Sequence, residues 1–474
     1  ALLAACGGGA ATATTGGGTT TSTSTTVTTA PAGTGGGTTG AAAGGPIPPP
    51  QKVSNFTRNA SIVEWGFGIP ETNPRSRIRV EAFRQAYPNI NLEVVADQNE
   101  QRILTAAASR TLPDILWLGR TDVISYAARG ILRPLDEYLQ KDNFDMRRFY
   151  DAAVDEVRYD NKTWGIPQFH QARALYVNND HLRELGVDPG NVNTGDWNQL
   201  NDLAGRLTRR EGDRVTRWGL DNKADGFLWL WGLANGGKFV SDDGKRITYN
   251  DPRNVEALEF LAQNNQVQGG FNAYTAARST WQSDEQFARG LVSMTLYENF
   301  VLGIIATIKA DLDFSVLPVR KRGGGPNDWT GFTTGQAWTI TQGAKDPEAA
   351  WEFIKFMSSL DTWLYGENGV KEYRKRNNGI YTPTLTGDRV ADREIIQRIY
   401  EPLSPRLDEA VRLLPRVLEQ SVKIPVSTLP VNKQLVDTLN NEGVKPALNG
   451  ERSAKDALDR ATRRAQQELD SFQP

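Results

Sequence analysis

The sequence predicts an α/β protein made of two bodies that enclose a polar cleft. From residue 61 onward, strand-like and helix-like segments alternate, which is typical of mostly parallel sheets flanked by helices. Residues 162–178, KTWGIPQFHQARALYVN, are interpreted as a segment that joins the two bodies, since Pro167 favours an extended conformation just before it. Hydrogen-bonding side chains stand in this segment where a core strand would carry apolar ones: Gln168, His170, Gln171 and Arg173. We therefore expect a crossover that lines a cleft; a loop with a chance cluster of polar residues is the alternative.

Composition excludes several classes of protein. A chain of 474 residues is long enough for two or three domains. Its net charge of -2 gives no general attraction to nucleic acid or to anionic lipid, so nucleic-acid binding is not expected. With only His170, His181 and Cys6, the chain can assemble neither a His-rich metal centre nor a disulfide framework. We expect no metal site and no cofactor.

The first residues resemble the lipobox of bacterial lipoproteins. Leu3-Ala4-Ala5-Cys6 places small residues before a cysteine, so residues 1–6 are interpreted as a signal remnant and lipobox with lipidation at Cys6. Residues 7–50 are a low-complexity run of Gly, Thr, Ala, Ser and Pro, which predicts a disordered tether spanning roughly 35 to 40 Å. A free structural cysteine before a disordered tail is the alternative. No later apolar run reaches the length of about 18 residues needed to span a membrane, so the lipid would be the only anchor.

The segments of the first body alternate as a parallel sheet requires. Helical patterns begin near Pro74 and around Ile103, and they separate three strand-like runs: residues 61–65, 90–94 and 114–118. Ligands of such open sheets meet the loops at the carboxyl ends of the strands. Residues 65–73 and 119–122 are therefore expected at the cleft.

The second body continues the alternation after the crossover. Residues 174–177 have the pattern of a short buried strand, and a helix whose apolar face contains Trp197 follows. Aromatic residues cluster around a turn at residues 225–231, DGFLWLW. Gly232 to Lys238 has the spacing of a P-loop, but Phe239 replaces the Ser or Thr that would meet magnesium, so the match is interpreted as accidental.

Later segments are expected to return the chain to the cleft. Residues 330–338, TGFTTGQAW, combine glycines, hydroxyls and an aromatic, which favours a second crossing, and residues 378–383 are a candidate third crossing. Helices are predicted after Asp346 and, near the end of the chain, after Ser453. A strand before these helices would deliver four side chains at its carboxyl end: Tyr297, Glu298, Asn299 and Phe300.

The order of several short motifs resembles the extracellular solute-binding proteins of ABC importers, in the sugar-binding branch related to maltose-binding protein. The resemblance covers the chain from about Ser61 to the end. After the lipobox and tether, it is carried by Gly130–Leu135, Trp164–Pro167, Leu175–Asn178, Phe287-x-x-Gly290-x-x-x-Met294 and Asp346–Ile354. Where relatives often have Gly-Pro-Trp or Gly-x-Trp, this chain has Glu298-Asn299-Phe300, so the aromatic role is assigned to Phe300.

This resemblance implies a two-lobed periplasmic-binding-protein fold with a ligand cleft between discontinuous lobes. The expected lobes are residues 51–166 plus 331–380 and residues 167–330 plus 381–474. It also implies a monomer outside the cytoplasm that binds a sugar or oligosaccharide, closes on it by hinge motion, and delivers it to permease subunits. The ligand contacts expected from position are Trp65, Phe67 and Arg120 in the first lobe, Gln171 and Arg173 at the crossover, and Asp225, Phe227, Trp229, Tyr297 and Phe300 in the second.

Two other functions stay open at the level of sequence. A binding protein for glycerol phosphodiesters or another anionic solute would use Arg120 and Arg173 as phosphate ligands. A lipid-anchored enzyme that acts on polysaccharides would need two carboxylates facing each other across the cleft. The chain contains no Gly-x-Ser-x-Gly, no His-Glu-x-x-His and no complete P-loop, and binding without catalysis is the function we expect.

Lipidation at Cys6 predicts a change of compartment on mutation. Because Cys6→Ala removes the thiol that would carry the lipid, the variant should be released to the medium or periplasm when the protein is expressed with an export signal. Fractionation of cells and immunoblotting measure this. Retention of the variant in the membrane fraction would show that the anchor is not at Cys6.

Overall fold

The structure is a computed structural model that describes residues 47–69, 74–96, 98–281 and 284–472. Cys6 and most of the expected tether lie outside the described residues. So does Asn73, which precedes the helix at Pro74. The described chain forms two five-stranded sheets flanked by helices, which confirms the two-lobed α/β fold.

The strands of the described residues are, in chain order, β1 (Ala60–Trp65), β2 (Ile90–Val95), β3 (Ile115–Gly119), β4 (Arg158–Tyr159), β5 (Lys162–Thr163), β6 (Ile166–Gln171), β7 (Arg173–Asn178), β8 (Arg209–Glu211), β9 (Arg214–Asp221), β10 (Val292–Glu298), β11 (Phe314–Leu317), β12 (Gly331–Phe332), β13 (Thr334–Ile340) and β14 (Ser421–Val422).

The α-helices of the same ranges are α1 (Pro74–Ala86), α2 (Glu100–Ser109), α3 (Arg120–Ala128), α4 (Asp136–Lys141), α5 (Asp151–Asp155), α6 (Asn179–Arg183), α7 (Trp197–Leu207), α8 (Leu228–Ala234), α9 (Pro252–Val267), α10 (Phe271–Ser279), α11 (Val301–Ile308), α12 (Pro347–Met357), α13 (Leu360–Arg376), α14 (Arg389–Arg398), α15 (Pro405–Glu419), α16 (Asn432–Thr438), α17 (Lys445–Leu448) and α18 (Ala454–Asp470). None of these helices has both the length and the apolar run needed to cross a membrane.

The first sheet has the strand order β2-β1-β3-β13-β6. β1 pairs in parallel with β2 and β3, whereas β13 is antiparallel to both β3 and β6, so the sheet is mixed rather than mostly parallel. Gln336 at the start of β13 lies opposite Gly119 at the end of β3. The carboxyl ends of β1, β2, β3 and β6 therefore share one edge with the start of β13.

The second sheet has the strand order β11-β7-β10-β9-β8 and is also mixed. β10 is parallel to β9 and antiparallel to β7, with Glu298 opposite Arg173. The carboxyl ends of β9 and β10 thus lie beside the first residue of β7. β7 follows β6 after a single residue. This edge of the second sheet therefore faces the edge of the first sheet that holds the carboxyl ends of β1, β2, β3 and β6, which we call the ligand edge.

The crossings between the lobes differ in position from those expected. β6 pairs with β13, so residues 167–171 belong to the first sheet, and the chain changes lobe at Ala172. The second crossing is at Thr333, between β12 and β13. α14 packs on α13 in a cluster with Trp363 and Tyr381, whereas α15 packs on β7 and β11. Ile380 and Leu385 pack in one cluster with Tyr176 and Phe314 of the second sheet, so the third crossing at residues 378–383 stays a prediction.

The last residues of the expected tether also contribute to the first lobe. Ile47 packs against the cluster that contains Trp363, and Pro50 is buried. The backbone N–H of Val53 donates a hydrogen bond to the Tyr87 hydroxyl at 3.0 Å. The folded lobe thus includes residues 47–50, whose composition had suggested a disordered segment.

Close contact between helix α7 and strand β9 predicts the effect of one glycine substitution. A Cβ at Gly219 would overlap the carbonyl oxygen of Ala204 in α7, whereas a Cβ at Gly226 would meet no atom within 4 Å. Gly219→Ala should therefore lower the free energy of unfolding by about 1 to 3 kcal/mol. Gly226→Ala, the matched control, should change it by less than about 0.5 kcal/mol. Urea denaturation measures both; equal effects would contradict the close packing of α7 on β9.

Candidate ligand-binding cleft

The floor of the cleft is formed by the two crossings that lie side by side. At the first, the backbone N–H of Ala172 donates to Asn299 Oδ1, and the backbone N–H of Asn299 donates to the Ala172 carbonyl, both at 2.9 Å. At the second, Thr333 is fully buried and its hydroxyl lies 3.4 Å from the carbonyl oxygen of Gln171. Asn299 follows β10 directly, so the end of that strand is tied to the crossover.

Arg173 is the centre of a polar cluster on this floor. Its Nη2 lies 3.0 Å from Glu298 Oε1 and donates to the Thr334 hydroxyl at 3.0 Å. The Thr334 hydroxyl donates to Gln171 Oε1 at 2.7 Å. The Arg173 guanidinium also stacks on Phe332, 4.3 Å from the ring centroid. Burial lowers the pKa of Arg173, and Glu298 opposes that shift. The structure thus brings Gln171 and Arg173 together, one from each sheet.

The wall of the second lobe carries paired charges. Lys223 Nζ lies 2.7 Å from Asp221 Oδ2 and 4.5 Å from the centroid of the Tyr297 ring. Arg278 Nη1 donates to Asp225 Oδ2 at 2.8 Å. Burial raises the pKa of the nearby Asp284 carboxyl, Lys223 opposes this shift, and Glu298 adds to it. Asp225 is therefore held by a basic partner at the carboxyl end of β9.

Three aromatic residues complete this wall and its junction with the floor. Tyr297 is buried, and its ring packs edge-on against Phe300 with centroids 5.5 Å apart. Phe300 itself is half-buried. Phe227 is half-buried as well and packs perpendicular to Phe332, 5.2 Å away. The ring of Phe300 therefore retains exposed surface beside Glu298, while most of the Tyr297 ring is covered.

The aromatic residues at the end of β1 and just after it pack mainly on the first lobe. Phe67 lies 4.9 Å from Trp338 and 5.4 Å from Trp117, and both Phe67 and Trp65 are half-buried. The backbone N–H of Phe67 donates to Glu64 Oε1 at 2.9 Å, and burial raises the pKa of the Glu64 carboxyl to about 8. The guanidinium of Arg102 stacks 4.1 Å from the Trp65 ring. The Arg102 side chain thus covers one face of Trp65.

Arg120 occupies a different environment from the one expected. Its side chain is fully buried, and Nε donates to Glu156 Oε2 at 2.8 Å. Nη1 donates to the carbonyl oxygen of Phe169, and Nη2 donates to the Thr333 hydroxyl at 3.4 Å. Gly335 leaves the space for this guanidinium, because a Cβ there would overlap Nη1. In this conformation Arg120 joins β3, β6 and the second crossing instead of facing a ligand.

Trp229 also lies away from the cleft. It is 2 % exposed and packs 4.6 Å from Phe239 and 6.0 Å from Tyr249 in the core of the second lobe. The cause is that residues 228–234 form helix α8 and turn this ring towards the apolar interior. Contact of Trp229 with ligand stays a prediction that this packing does not favour.

Four polar residues of the cleft were not among the expected ligand contacts: Lys223, Arg278, Glu298 and Thr334. Glu298 lies at a strand end, and Thr334 lies in the segment predicted as the second crossing. Their place in the cleft could therefore have been predicted from the sequence. Lys223 lies two residues before Asp225 in the same loop. Arg278 comes from helix α10, and its sequence surroundings carry no signal for a place beside Asp225. Within the described ranges, no group of three or more His, Cys, Asp or Glu residues could hold a metal ion.

The sequence of this chain matches the family described as bacterial extracellular solute-binding protein over residues 77–361. The match spans more than half of the chain, and the motifs that suggested the resemblance fall largely inside it. This protein therefore belongs to the bacterial extracellular solute-binding protein family.

The related proteins found by sequence comparison are distant, with identities of 21 to 26%. A binding protein of Brucella abortus (strain 2308) is 26% identical over 300 residues, which cover 61% of this chain and 70% of the relative. The arabinooligosaccharide-binding protein of Bacillus subtilis (strain 168) is 21% identical over 302 residues, 62% of this chain and 64% of the relative. The sn-glycerol-3-phosphate-binding periplasmic protein of Salmonella typhimurium is 26% identical over 420 residues, 83% of this chain and 89% of the relative.

Solved structures share the fold over most of the chain. The GacH receptor of Streptomyces glaucescens, solved unliganded and with acarbose, superposes with a TM-score of 0.67 at 18% identity, covering 88% of this chain and 100% of the other. An ABC transporter solute-binding protein of Thermotoga lettingae bound with α-D-tagatose has a TM-score of 0.66 at 18% identity, covering 87% and 100%. These similarities establish the fold of the two lobes.

The buried position of Arg120 predicts a large loss of stability on mutation. Arg120→Met would leave the Glu156 carboxyl buried without its ion-pair partner, so the free energy of unfolding should fall by about 3 to 5 kcal/mol. The double variant Arg120→Met with Glu156→Leu removes both charges and should recover most of the loss. Urea denaturation of the wild type and the two variants measures this. A loss below about 1 kcal/mol for Arg120→Met would contradict a buried pair at this position.

Proposed function

We propose that this protein captures a sugar or oligosaccharide outside the cytoplasm and delivers it to the permease subunits of an ABC importer. The family supplies the class of protein, and the charge balance of the cleft supports the choice of ligand. Binding without chemical conversion is the role that fits this class. Lipidation at Cys6, which would hold the protein at the outer face of the membrane, is part of the same proposal.

The charge balance of the cleft favours an uncharged ligand. In the described part of the floor and wall, Arg173 is paired with Glu298, Lys223 with Asp221, and Arg278 with Asp225. Asp284 adds a further carboxylate beside them. Arg120, the other cation expected to hold a phosphate, is neutralised by Glu156 below the surface. A phosphate would thus meet cations whose charge is already compensated, whereas sugar hydroxyls can donate to the carboxylates and accept from the basic groups.

The aromatic surface beside these charges suits the same class of ligand. Phe300 is half-buried two residues after Glu298, and its ring packs edge-on against Tyr297. A sugar ring has apolar faces that pack on aromatic rings and hydroxyl groups at its rim that need hydrogen-bond partners. Glu298 is the last residue of β10, and Phe300 follows two residues later. Together they offer both kinds of contact within three residues.

Hinge closure of the lobes would complete the site. Ala172 connects the two five-stranded sheets, and Thr333 connects the first sheet to β12, which pairs with β14, so rotation about these two residues would change the separation of the walls. Gln171 lies on the first-lobe side of the crossing and Arg173 on the second-lobe side, and both bond to Thr334. A ligand hydroxyl that reaches this cluster would contact both lobes at once and favour the closed conformation.

Glycerol phosphate is the second candidate ligand, supported by one comparison. The relative named for sn-glycerol 3-phosphate aligns with a larger share of this chain than the arabinooligosaccharide-binding relative does. The share of the chain that aligns reflects the fold of the whole protein and does not by itself identify the ligand. The cations of the cleft are already paired with carboxylates, which favours the sugar. The two candidates make opposite predictions for the same measurement.

A panel of ligands tests the proposed function. The melting temperature of the purified protein should rise with a carbohydrate among mono- and oligosaccharides and should not rise with sn-glycerol 3-phosphate or glycerol phosphodiesters. A ligand that binds only the folded state adds about 2.7 kcal/mol at a hundredfold excess over its Kd, which a thermal-shift assay detects.

One variant locates the binding in the cleft. Phe300→Ala removes aromatic surface and should lower the affinity for the carbohydrate identified by the panel by about 1 to 3 kcal/mol, as measured by titration calorimetry. Phe300→Tyr, which keeps the ring, is the matched control and should bind like the wild type. A shift only with phosphorylated compounds would replace the sugar by the anionic solute as the ligand.

A further inference from the structure

The amino-terminal end of helix α16 connects the two lobes at a place separate from the three crossings. α16 belongs to the second lobe: Leu435 is fully buried in the core of that lobe, and the Tyr249 hydroxyl donates to the Leu435 carbonyl at 3.0 Å. The first residues of the helix nevertheless contact the first lobe. α16 is therefore a rigid part of one lobe whose end reaches the other.

Two polar contacts form this connection. Asn432 is buried, and its Nδ2 donates both to the carbonyl oxygen of Thr121 in α3 and, at 3.1 Å, to the Ser427 carbonyl in the second lobe. Lys433 forms an ion pair with Glu100, the first residue of α2. Thr121 and Glu100 follow the carboxyl ends of β3 and β2, so both contacts lie at the ligand edge of the first sheet.

The contacts between α16 and the first lobe are few enough to break when the lobes rotate apart. Beside them runs a groove lined by Arg129 from the first lobe and by Val431, Gln434 and Phe472 from the second. The side chains of Lys433 and Glu100 are 56% and 35% exposed, and exposed ion pairs contribute little each. Hinge rotation at Ala172 and Thr333 would break both contacts together, because α16 moves with its lobe.

We propose that Asn432 and Lys433 form an interlobe latch that stabilises the closed conformation through contacts made by the protein itself and not by the ligand. Loss of the latch shifts the lobes towards the open conformation. The Lys433–Glu100 pair makes this balance sensitive to salt, since ionic screening acts on exposed charges. The proposal rests on the hinge motion of the proposed function and holds whether the ligand is a sugar or a phosphate.

Distance measurements between the lobes test the latch without any ligand. In the full chain with Cys6→Ser, spin labels at Gln85→Cys in α1 and Glu259→Cys in α9, both exposed positions, report the separation of the lobes by pulsed electron paramagnetic resonance. Lys433→Gln should raise the ratio of open to closed molecules roughly 2- to 10-fold, and so should Asn432→Ala. At about 1 M salt the difference between Lys433→Gln and wild type should shrink, because the pair is then screened.

Two controls separate a latch from a general effect of surface charge. Lys141→Gln removes a similarly exposed lysine that pairs with Glu348 inside the first lobe, and it should leave the distance distribution unchanged. Glu100 also lies 3.9 Å from Arg129 of its own lobe, and Lys433 is also attracted by Asp122. Glu100→Gln should open the lobes as well, and the double variant should open them less than the sum of the two single variants. Circular dichroism confirms that each variant is folded. Unchanged distances in Lys433→Gln and Asn432→Ala, or an equal change in Lys141→Gln, would overturn the proposal.

Discussion

The buried guanidinium of Arg120 holds together the place where the two lobes meet. It binds Glu156, the carbonyl of Phe169 at the end of the first sheet, and the hydroxyl of Thr333 at the second crossing. A buried charge is costly unless it is paired and fully hydrogen-bonded, so this group orders every segment that contacts it. Thr333 and the neighbouring Thr334 in turn fix Gln171 and Arg173, the polar residues of the cleft floor. The geometry of the proposed binding site therefore depends on an ion pair that is fully buried.

This arrangement divides the charged residues of the cleft into two groups. Arg120 and Glu156 are sequestered and set the position of the backbone, whereas Glu298, Asp225 and Arg278 keep some contact with solvent. The exposed members are paired before a ligand arrives, which orients their side chains and cancels most of their charge. Preorganised, nearly neutral pairs are well suited to a polyhydroxyl ligand, and they are poorly suited to an ion that needs an uncompensated partner.

The proposed closure of the lobes would have two separable contributions. The ligand would act at the floor, through the cluster around Arg173, whereas α16 would act at the rim, through Asn432 and Lys433. The two places involve different side chains, since Asn432 and Lys433 form none of the hydrogen bonds of the cluster around Arg173. Affinity would then reflect both the contacts of the ligand and the population of the closed state, as expected when a binding-competent conformation is only partly populated.

The sequence by itself determined the local structure: the alternation of strands and helices, the motifs of the family, and the polar segments at strand ends such as Glu298 and Thr334. These features depend on neighbouring residues, whose periodicity and capping are visible in the chain. Only the tertiary structure decided that Arg120 is buried with Glu156, that Trp229 faces a core, that Arg278 meets Asp225, and that the chain changes lobe at Ala172. Each of these outcomes depends on which side of a strand or helix faces a distant partner. A shift of one residue in strand register turns every side chain of that strand to the opposite face of the sheet. The face that each side chain occupies is therefore decided by the packing of the whole molecule.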